Sequence, residues 1–152
     1  MKRILAFVVC LVLLFMAAIP ASAAEASVGK GTLIYRTEQT LENGLTFVDE
    51  LYEIASTRAT DKTSYKTRNV YYGDTLVGTI TIQATFRYDG SAVSVVSKSV
   101  TQSTTYDGWS YKQNSFTSSG GTVILDAKLT KLLILTISVD MTLTCDKNGN
   151  VS

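Results

Sequence analysis

Apolar and polar residues alternate along much of the chain, and two segments show the alternation most clearly. In the first segment, one face would carry Leu76, Gly78, Ile80, Ile82, Ala84, Phe86 and Tyr88. In the second, one face would carry Leu135, Ile137, Val139, Met141, Leu143 and Cys145. A helical period would mix these residues with the Thr, Ser and Gln residues between them. Both segments are therefore predicted to be β-strands that bury one face.

Turn signals divide the rest of the chain into similar segments. Asn43-Gly44 and Asp89-Gly90 accept positive φ angles and lie between alternating runs, as they do in β-hairpins. The predicted strands are Thr32–Leu41, Leu45–Ile54, Ser64–Tyr71, Thr75–Tyr88, Ser91–Thr105, Trp109–Ser118, Thr122–Lys131 and Ile134–Cys145. This spacing predicts an all-β fold, an antiparallel β-sandwich of about eight strands.

The segment from Leu45 to Ala55 also fits a helix. In that arrangement Leu45, Val48, Tyr52 and Ala55 would share one side, with the acidic residues in solvent. The Asn43-Gly44 turn favours the alternative, in which the segment is a strand paired with the preceding one. We expect a strand.

The N-terminus has the three parts of a secretory signal peptide. Lys2 and Arg3 precede an apolar run from Ile4 to Ala18, and Ala21-Ser22-Ala23 follows Pro20 as a cleavage site. An uncleaved membrane anchor is the alternative, but the apolar run is short for a membrane span. We expect residues 1–23 to be a signal peptide cleaved near Ala23, and residues 24–152 to be one domain. The mature protein is then secreted or held in the cell envelope, without a membrane span.

Composition excludes several classes of function. The 152 residues include 14 Lys and Arg, 13 Asp and Glu, and no histidine. Loss of Lys2 and Arg3 leaves 12 basic and 13 acidic residues, a formal charge of −1, which gives no basis for nucleic-acid binding. Without histidine the chain has no Ser-His-Asp or Cys-His nucleophile and no histidine metal ligand. We expect neither a cofactor nor a metal.

Acidic residues offer one route to catalysis without histidine, because glycoside hydrolysis needs only two carboxyl groups. Glu42, Asp49, Glu50 and Glu53 form the densest acidic cluster. On a strand Asp49 and Glu53 would share one face and Glu50 the other, so a solvated charge row that protects a sheet edge is the favoured interpretation. The sequence from Asp146 to Asn150 resembles the start of a calcium loop, but no bidentate Glu follows it. No catalytic residue is predicted.

Aromatic residues beside the turns are the candidate ligand-binding residues: Tyr71, Tyr72, Tyr106, Trp109 and Tyr111. Tyr and Trp combine a flat apolar face with a polar tip, which suits stacking on sugars or anchoring a protein partner. Trp109 and Tyr111 alternate after an Asp-Gly turn, so we expect them to face the core. Tyr106 and the Tyr71-Tyr72 pair are expected to be more exposed.

The chain resembles small exported, Thr/Ser-rich all-β proteins of Gram-positive bacteria, a group with no established activity. The resemblance is carried by a signal peptide, a TFxYxG strand and turn at residues 85–90, and a C-terminal LTCxxNG at residues 143–149. It implies a second cysteine shortly after the YxG turn, but residues 91–95 contain none. Cleavage also removes Cys10, so Cys145 becomes the only thiol of the mature chain and cannot form an internal disulfide. We expect it to be buried and unreactive, and a disulfide between two chains is the alternative.

Taken together, these features predict an exported β-sandwich that is not an enzyme and has a binding or structural role at the cell surface or outside the cell. Its partner would be an extracellular protein or a glycan. The alternatives are a carbohydrate-binding domain that uses exposed Tyr and Trp, and a hydrolase that uses a carboxylate pair.

Overall fold

The computed structural model describes residues 31–56, 58–132 and 134–152. The predicted signal peptide, Met1 to Ala23, lies outside the described residues. Within these ranges the regular secondary structure is entirely β, so none of it is a helix long and apolar enough to cross a membrane.

Nine strands follow one another along the described chain. They are β1 (Thr32–Thr40), β2 (Leu45–Ile54), β3 (Asp61–Tyr72), β4 (Thr75–Tyr88), β5 (Val93–Ser103), β6 (Trp109–Ser119), β7 (Thr122–Lys131), β8 (Leu135–Ser138) and β9 (Met141–Thr144). The disputed segment is strand β2, which pairs antiparallel with β1 on one side and with β3 on the other.

The strands form two antiparallel sheets that pack as a β-sandwich. The larger sheet is a five-stranded meander in the order β1-β2-β3-β4-β5, and the smaller one has the order β6-β7-β8, with β9 also paired to β7. Because β8 and β9 follow one another along the same side of β7, the smaller sheet is three strands wide. The all-β sandwich predicted from the sequence is confirmed.

The core lies between the two sheets and uses the faces that the alternation predicted. From β4 it takes Ile80, Ile82, Ala84 and Phe86, all at most 1% exposed. The smaller sheet contributes Val123, Leu125, Ala127, Leu129, Ile137, Val139, Met141, Leu143 and Cys145. The register between β3 and β4 shifts near Tyr71, so that Val77 is also buried, although strict alternation placed it on the opposite face.

The last predicted strand is divided in two by Asp140. The backbone N–H of Ala127 on β7 donates to the Asp140 carboxylate at 3.3 Å. The Ser138 hydroxyl donates to the same carboxylate at 2.7 Å. A side chain thus replaces a backbone acceptor of the ladder, and regular pairing stops between β8 and β9. This contact explains nine strands where about eight were predicted.

Two basic residues on β3 point into the sandwich and cover the open edge of the smaller sheet. Arg68 Nη1 donates to the carbonyl of Asp140 at 2.9 Å, and Lys66 Nζ donates to the carbonyl of Thr142 at 3.2 Å. These carbonyls belong to the free side of the β8–β9 segment, where another strand would otherwise pair. Inward-pointing charges of this kind protect a sheet edge from unwanted pairing.

Hydroxyl groups of neighbouring strands bond to each other on the outer face of the larger sheet. Thr63 and Thr85 share a hydrogen bond of 2.9 Å, as do Thr67 and Thr81. Each pair lies directly opposite in the β3–β4 register. Threonine suits such positions because its branched side chain packs on the pleated surface while its hydroxyl bonds across the strands.

Candidate functional site

One end of the sandwich gathers four connections: β1–β2, β3–β4, β5–β6 and β7–β8. Backbone hydrogen bonds join them. The Gly73 N–H donates to Gly44 O at 3.4 Å, that of Thr105 to Val77 O at 3.4 Å, and that of Leu132 to Gly108 O at 2.9 Å. We call this region the loop end. It brings residues that are far apart in sequence into one surface.

An aromatic pocket of about 130 Å³ opens at the loop end. The Tyr72 and Trp109 rings stand 6.3 Å apart between centroids and are tilted by 55°. Lys131 Nζ lies 4.4 Å from the centre of the Tyr72 ring and 5.9 Å from that of Trp109. The residues lining this aromatic pocket are Tyr72, Thr75, Val77, Tyr106, Trp109 and Lys131.

Three side chains of the aromatic pocket lie at the ends of strands. Tyr72 is the last residue of β3, Trp109 is the first of β6 and Lys131 is the last of β7. Trp109 lies directly opposite Lys131 in the β6–β7 register. Gly73 and Gly108 have φ angles of 58° and 85°, which favour glycine, so the chain reverses or changes sheet at once beside each aromatic residue.

Two polar groups of the aromatic pocket lack a partner among the described residues. No described carboxylate lies within ion-pair distance of the Lys131 ammonium, whose near neighbours are the two rings. The Trp109 side chain is 6% exposed, and its indole N–H is buried without an acceptor. Buried donors normally have a partner. The aromatic pocket therefore provides a cation and apolar ring faces in one place, and the indole N–H is buried within the surroundings of Trp109.

The five predicted binding residues separate into two groups. Tyr72, Tyr106 and Trp109 meet in the aromatic pocket, with Tyr106 more than half exposed. Tyr71 takes the opposite face of β3 and lines a separate shallow depression with Arg36 and Glu38. As expected, Trp109 is buried.

Tyr111 is half-buried against the core, and burial raises the pKa of its hydroxyl. That hydroxyl has no hydrogen-bond partner among the described residues. Tyr111 does not line the aromatic pocket, so it is outside the candidate site.

Lys131 was not among the predicted residues. Its place in the aromatic pocket depends on the β6–β7 register, which sequence patterns do not fix at that position. The one available signal was its position at the end of an alternating strand, directly before a turn.

Three residues of the acidic cluster are bound to basic or phenolic groups instead of lining a cleft. Both oxygens of Asp49 accept from Arg68 at 2.6 Å. Glu53 lies 3.2 Å from Lys62. Since β2 is an inner strand and Asp49 faces the sandwich interior, the interpretation of this cluster as a solvated row protecting a sheet edge was wrong. Asp49 instead joins two neighbouring strands.

Glu50 belongs to the opposite face of β2. It accepts a hydrogen bond of 2.9 Å from the Tyr52 hydroxyl and lies 3.7 Å from Arg36. The Tyr52–Glu50 hydrogen bond raises the pKa of the Tyr52 hydroxyl. None of these arrangements pairs two carboxyl groups across a cleft, as glycoside hydrolysis requires.

The C-terminal turn closes on itself through Asp146. Its carboxylate accepts from the backbone N–H groups of Asn148 and Asn150, both at 2.8 Å, and from the Asn150 side chain at 2.7 Å. These bonds hold the pKa of Asp146 below its ordinary value. In the described ranges no group of three or more Cys, Asp or Glu is placed to hold a metal ion.

Cys145 is a free, buried thiol, as the sequence predicted. Burial raises its pKa, and the nearby Asp146 acts in the same direction. A raised pKa lowers the thiolate fraction, which is the nucleophilic form. This position does not suit a catalytic nucleophile.

Comparisons of the chain with protein families, with curated proteins and with solved structures found nothing that matches it.

Proposed function

We propose that this protein is an exported, non-catalytic binding module that holds a glycan in the aromatic pocket. The observation that carries the proposal is the grouping of Tyr72 and Trp109 around an opening at the loop end, with Lys131 over both rings. Aromatic faces stack on the C–H faces of sugar rings, and the polar groups beside them bond to hydroxyl or carboxylate oxygens.

The size of the aromatic pocket limits what it holds. Its volume of about 130 Å³ is below the range of about 300–1,000 Å³ found for sites that enclose a small molecule. A single ring, or the edge of a longer chain, suits it better than a whole ligand. The unpaired Lys131 favours a sugar that carries a carboxylate.

Two features support a role without catalysis. Three of the four acidic residues of the cluster, Asp49, Glu50 and Glu53, each lie against a basic side chain, and Glu42 is exposed in the β1–β2 connection. The chain also lacks histidine, the commonest general base. Export is supported by the charged start, apolar run and small-residue site of residues 1–23.

The emission of Trp109, the single tryptophan of the chain, reports directly on the aromatic pocket. The protein is titrated with soluble oligosaccharides, one series neutral and one containing uronic acids, and Trp109 fluorescence is followed beside calorimetry. We expect binding of the acidic series. Tyr72→Ala should weaken it at least about fivefold, because stacking on an aromatic ring contributes about 1 kcal/mol or more. Lys131→Gln should weaken the acidic series more than the neutral one.

Tyr71→Ala provides the matched control, since Tyr71 is the adjacent tyrosine on the opposite face of the same strand. It should leave binding unchanged. The proposal fails if no saccharide of either series binds. It also fails if Tyr71→Ala and Tyr72→Ala weaken binding equally.

A further inference from the structure

The turn between β7 and β8 exposes two aliphatic side chains. Ile134 is 86% exposed and Leu132 is 66% exposed, the highest values among the large hydrophobic residues of the described chain. Turn positions usually carry Gly, Asn, Asp or Ser. Leu132 also has a φ angle of 43°, a left-handed conformation that leucine rarely adopts. Neither turn geometry nor burial explains aliphatic residues here.

Leu132 is fixed beside the aromatic pocket. Its N–H donates to Gly108 O at 2.9 Å, and a Cβ at position 108 would lie 3.0 Å from Leu132 Cγ. Gly108 stands between Tyr106 and Trp109 in the chain. The aliphatic turn and the aromatic pocket therefore form one continuous surface at the loop end.

Exposure falls stepwise across this surface. It is 86% at Ile134, 66% at Leu132, 54% at Tyr106 and 44% at Tyr72. The most exposed residues are purely aliphatic, and the next two are tyrosines with a polar tip. The Lys131 ammonium lies over the Tyr72 ring behind them. A bilayer surface has layers in the same order. The acyl chains accept aliphatic side chains, the interface is enriched in Tyr and Trp, and Lys extends its ammonium group toward the head groups.

We infer that the loop end docks on a lipid bilayer by inserting Leu132 and Ile134. A protein partner of ordinary affinity covers about 800 Å² on each side with a complementary shape. Here the exposed apolar side chains come from the β7–β8 and β5–β6 connections and the end of β3, and the two aliphatic ones, Leu132 and Ile134, do not line the aromatic pocket. A fluid lipid surface accepts such side chains without a matching shape.

The charges near the turn indicate how the docking works. Lys131 is accompanied at the loop end by Glu42, Asp74 and Asp107, which lie in the β1–β2, β3–β4 and β5–β6 connections. These connections and Lys131 together carry a net negative charge, so attraction to anionic lipid does not contribute. Insertion of apolar side chains is the main contribution, so docking is insensitive to salt.

Vesicles of phosphatidylcholine test this inference by co-sedimentation. All variants are compared at one chain length, established by N-terminal sequencing, so that an apolar N-terminal segment contributes equally to each. The test variant is Leu132→Asn with Ile134→Ser, because Asn tolerates positive φ and should keep the turn. We expect its partitioning to be about 10–100-fold weaker than that of the unchanged protein.

Ile124→Ser is the matched control, since Ile124 is an exposed aliphatic residue on the outer face of β7. It should leave partitioning unchanged, and circular dichroism should show the same β spectrum for all variants. Brominated acyl chains give a second readout: they should quench Trp109 in the unchanged protein and much less in the double variant.

Three results would overturn the inference. The first is equal partitioning of the double variant and the unchanged protein. The second is loss of partitioning when salt rises from about 0.1 M to about 1 M, which would indicate electrostatic attraction. The third is self-association without vesicles that the double variant abolishes, which would make a second copy of the chain the occupant. Glycan titration of the same variants tests the proposed function independently, so a failure of vesicle binding can be told apart from a failure of glycan binding.

Discussion

The ion pair between Arg68 and Asp49 allows a sharp test of how burial strengthens a contact between neighbouring strands. The two side chains are only 15% and 14% exposed, and both guanidinium contacts measure 2.6 Å. Arg68 also stacks over the Phe47 ring at 4.8 Å and bonds to the β8–β9 edge. Arg68→Met would keep much of the apolar stem but leave the Asp49 carboxylate without its partner.

Breaking one side of a fully buried ion pair costs about 3–5 kcal/mol. Because this pair retains some contact with solvent, we expect Arg68→Met to lower the free energy of unfolding by about 2–4 kcal/mol. With a urea m-value of about 1–3 kcal/mol/M, a loss of about 3 kcal/mol lowers the unfolding midpoint by about 1–3 M. Adding Asp49→Leu should recover at least about 2 kcal/mol, since an apolar pair replaces an unpaired charge.

Urea unfolding of the two single variants and the double variant, followed by Trp109 fluorescence, gives the coupling energy. The control is the pair of Arg87 and Asp61, which is also bidentate, at 2.8 and 2.9 Å, but has an Arg side chain that is 50% exposed. Its coupling should stay below about 1 kcal/mol. Equal coupling in the two pairs would refute the reasoning, because both are bidentate and the main difference between them is the exposure of the arginine.

Three further predictions follow from the opposite end of the sandwich. Gly149→Ala should lower the free energy of unfolding by about 2–4 kcal/mol, because φ is 85° and a Cβ would lie 2.5 Å from the Tyr88 ring. Gly120→Ala, with positive φ but open space, should cost about 1–2 kcal/mol, and equal losses would contradict the packing argument. The folded pKa of Asp146 lies below its ordinary 3.8, so its stabilisation is present above pH 3.8 and is lost as the pH falls through the folded value. Acid unfolding followed by circular dichroism should therefore be less steep in Asp146→Asn, and an identical pH profile would show that the turn contributes nothing. Iodoacetamide at about pH 8 should modify Cys145 far more slowly in the folded protein than in urea, because burial raises the pKa of the thiol. Mass spectrometry measures both rates, and equal rates would show that the thiol is accessible in the folded protein.

Strand faces could be predicted from the sequence because they depend on a local period of two residues. The buried face of β4, from Ile80 to Phe86, follows directly from that alternation. The break at Asp140 could not be predicted, since it depends on a hydrogen bond to Ala127 on another strand. Nothing in the sequence distinguished the inward-pointing Arg68 from a solvated arginine, because β3 carries polar residues on both faces.

The candidate site was predicted in part. Tyr72 and Trp109 could be singled out because both flank turn signals, and antiparallel pairing brings alternate turns to one end of a sandwich. Tyr71 could have been separated from Tyr72, because adjacent residues of a strand point to opposite faces. Lys131 required the observed β6–β7 register. Exposure of Ile134 could not be anticipated either, since Ile134 was assigned to the following strand.

The two ends of the sandwich differ in a way that separates stability from binding. At the end opposite the loop end, Tyr88 packs on Gly149, and the Gly90 N–H donates to Lys147 O at 2.9 Å. The turn at Tyr88–Gly90 and the turn at Lys147–Gly149 thus contact each other. The loop end has the reverse character, with an unpaired cation and exposed apolar side chains that contribute little to folding. A strained and exposed arrangement of this kind is what the proposed binding at the loop end requires. Substitutions at Gly149 should therefore alter stability without altering ligand or lipid binding at constant folded fraction, whereas those at Leu132 should do the opposite.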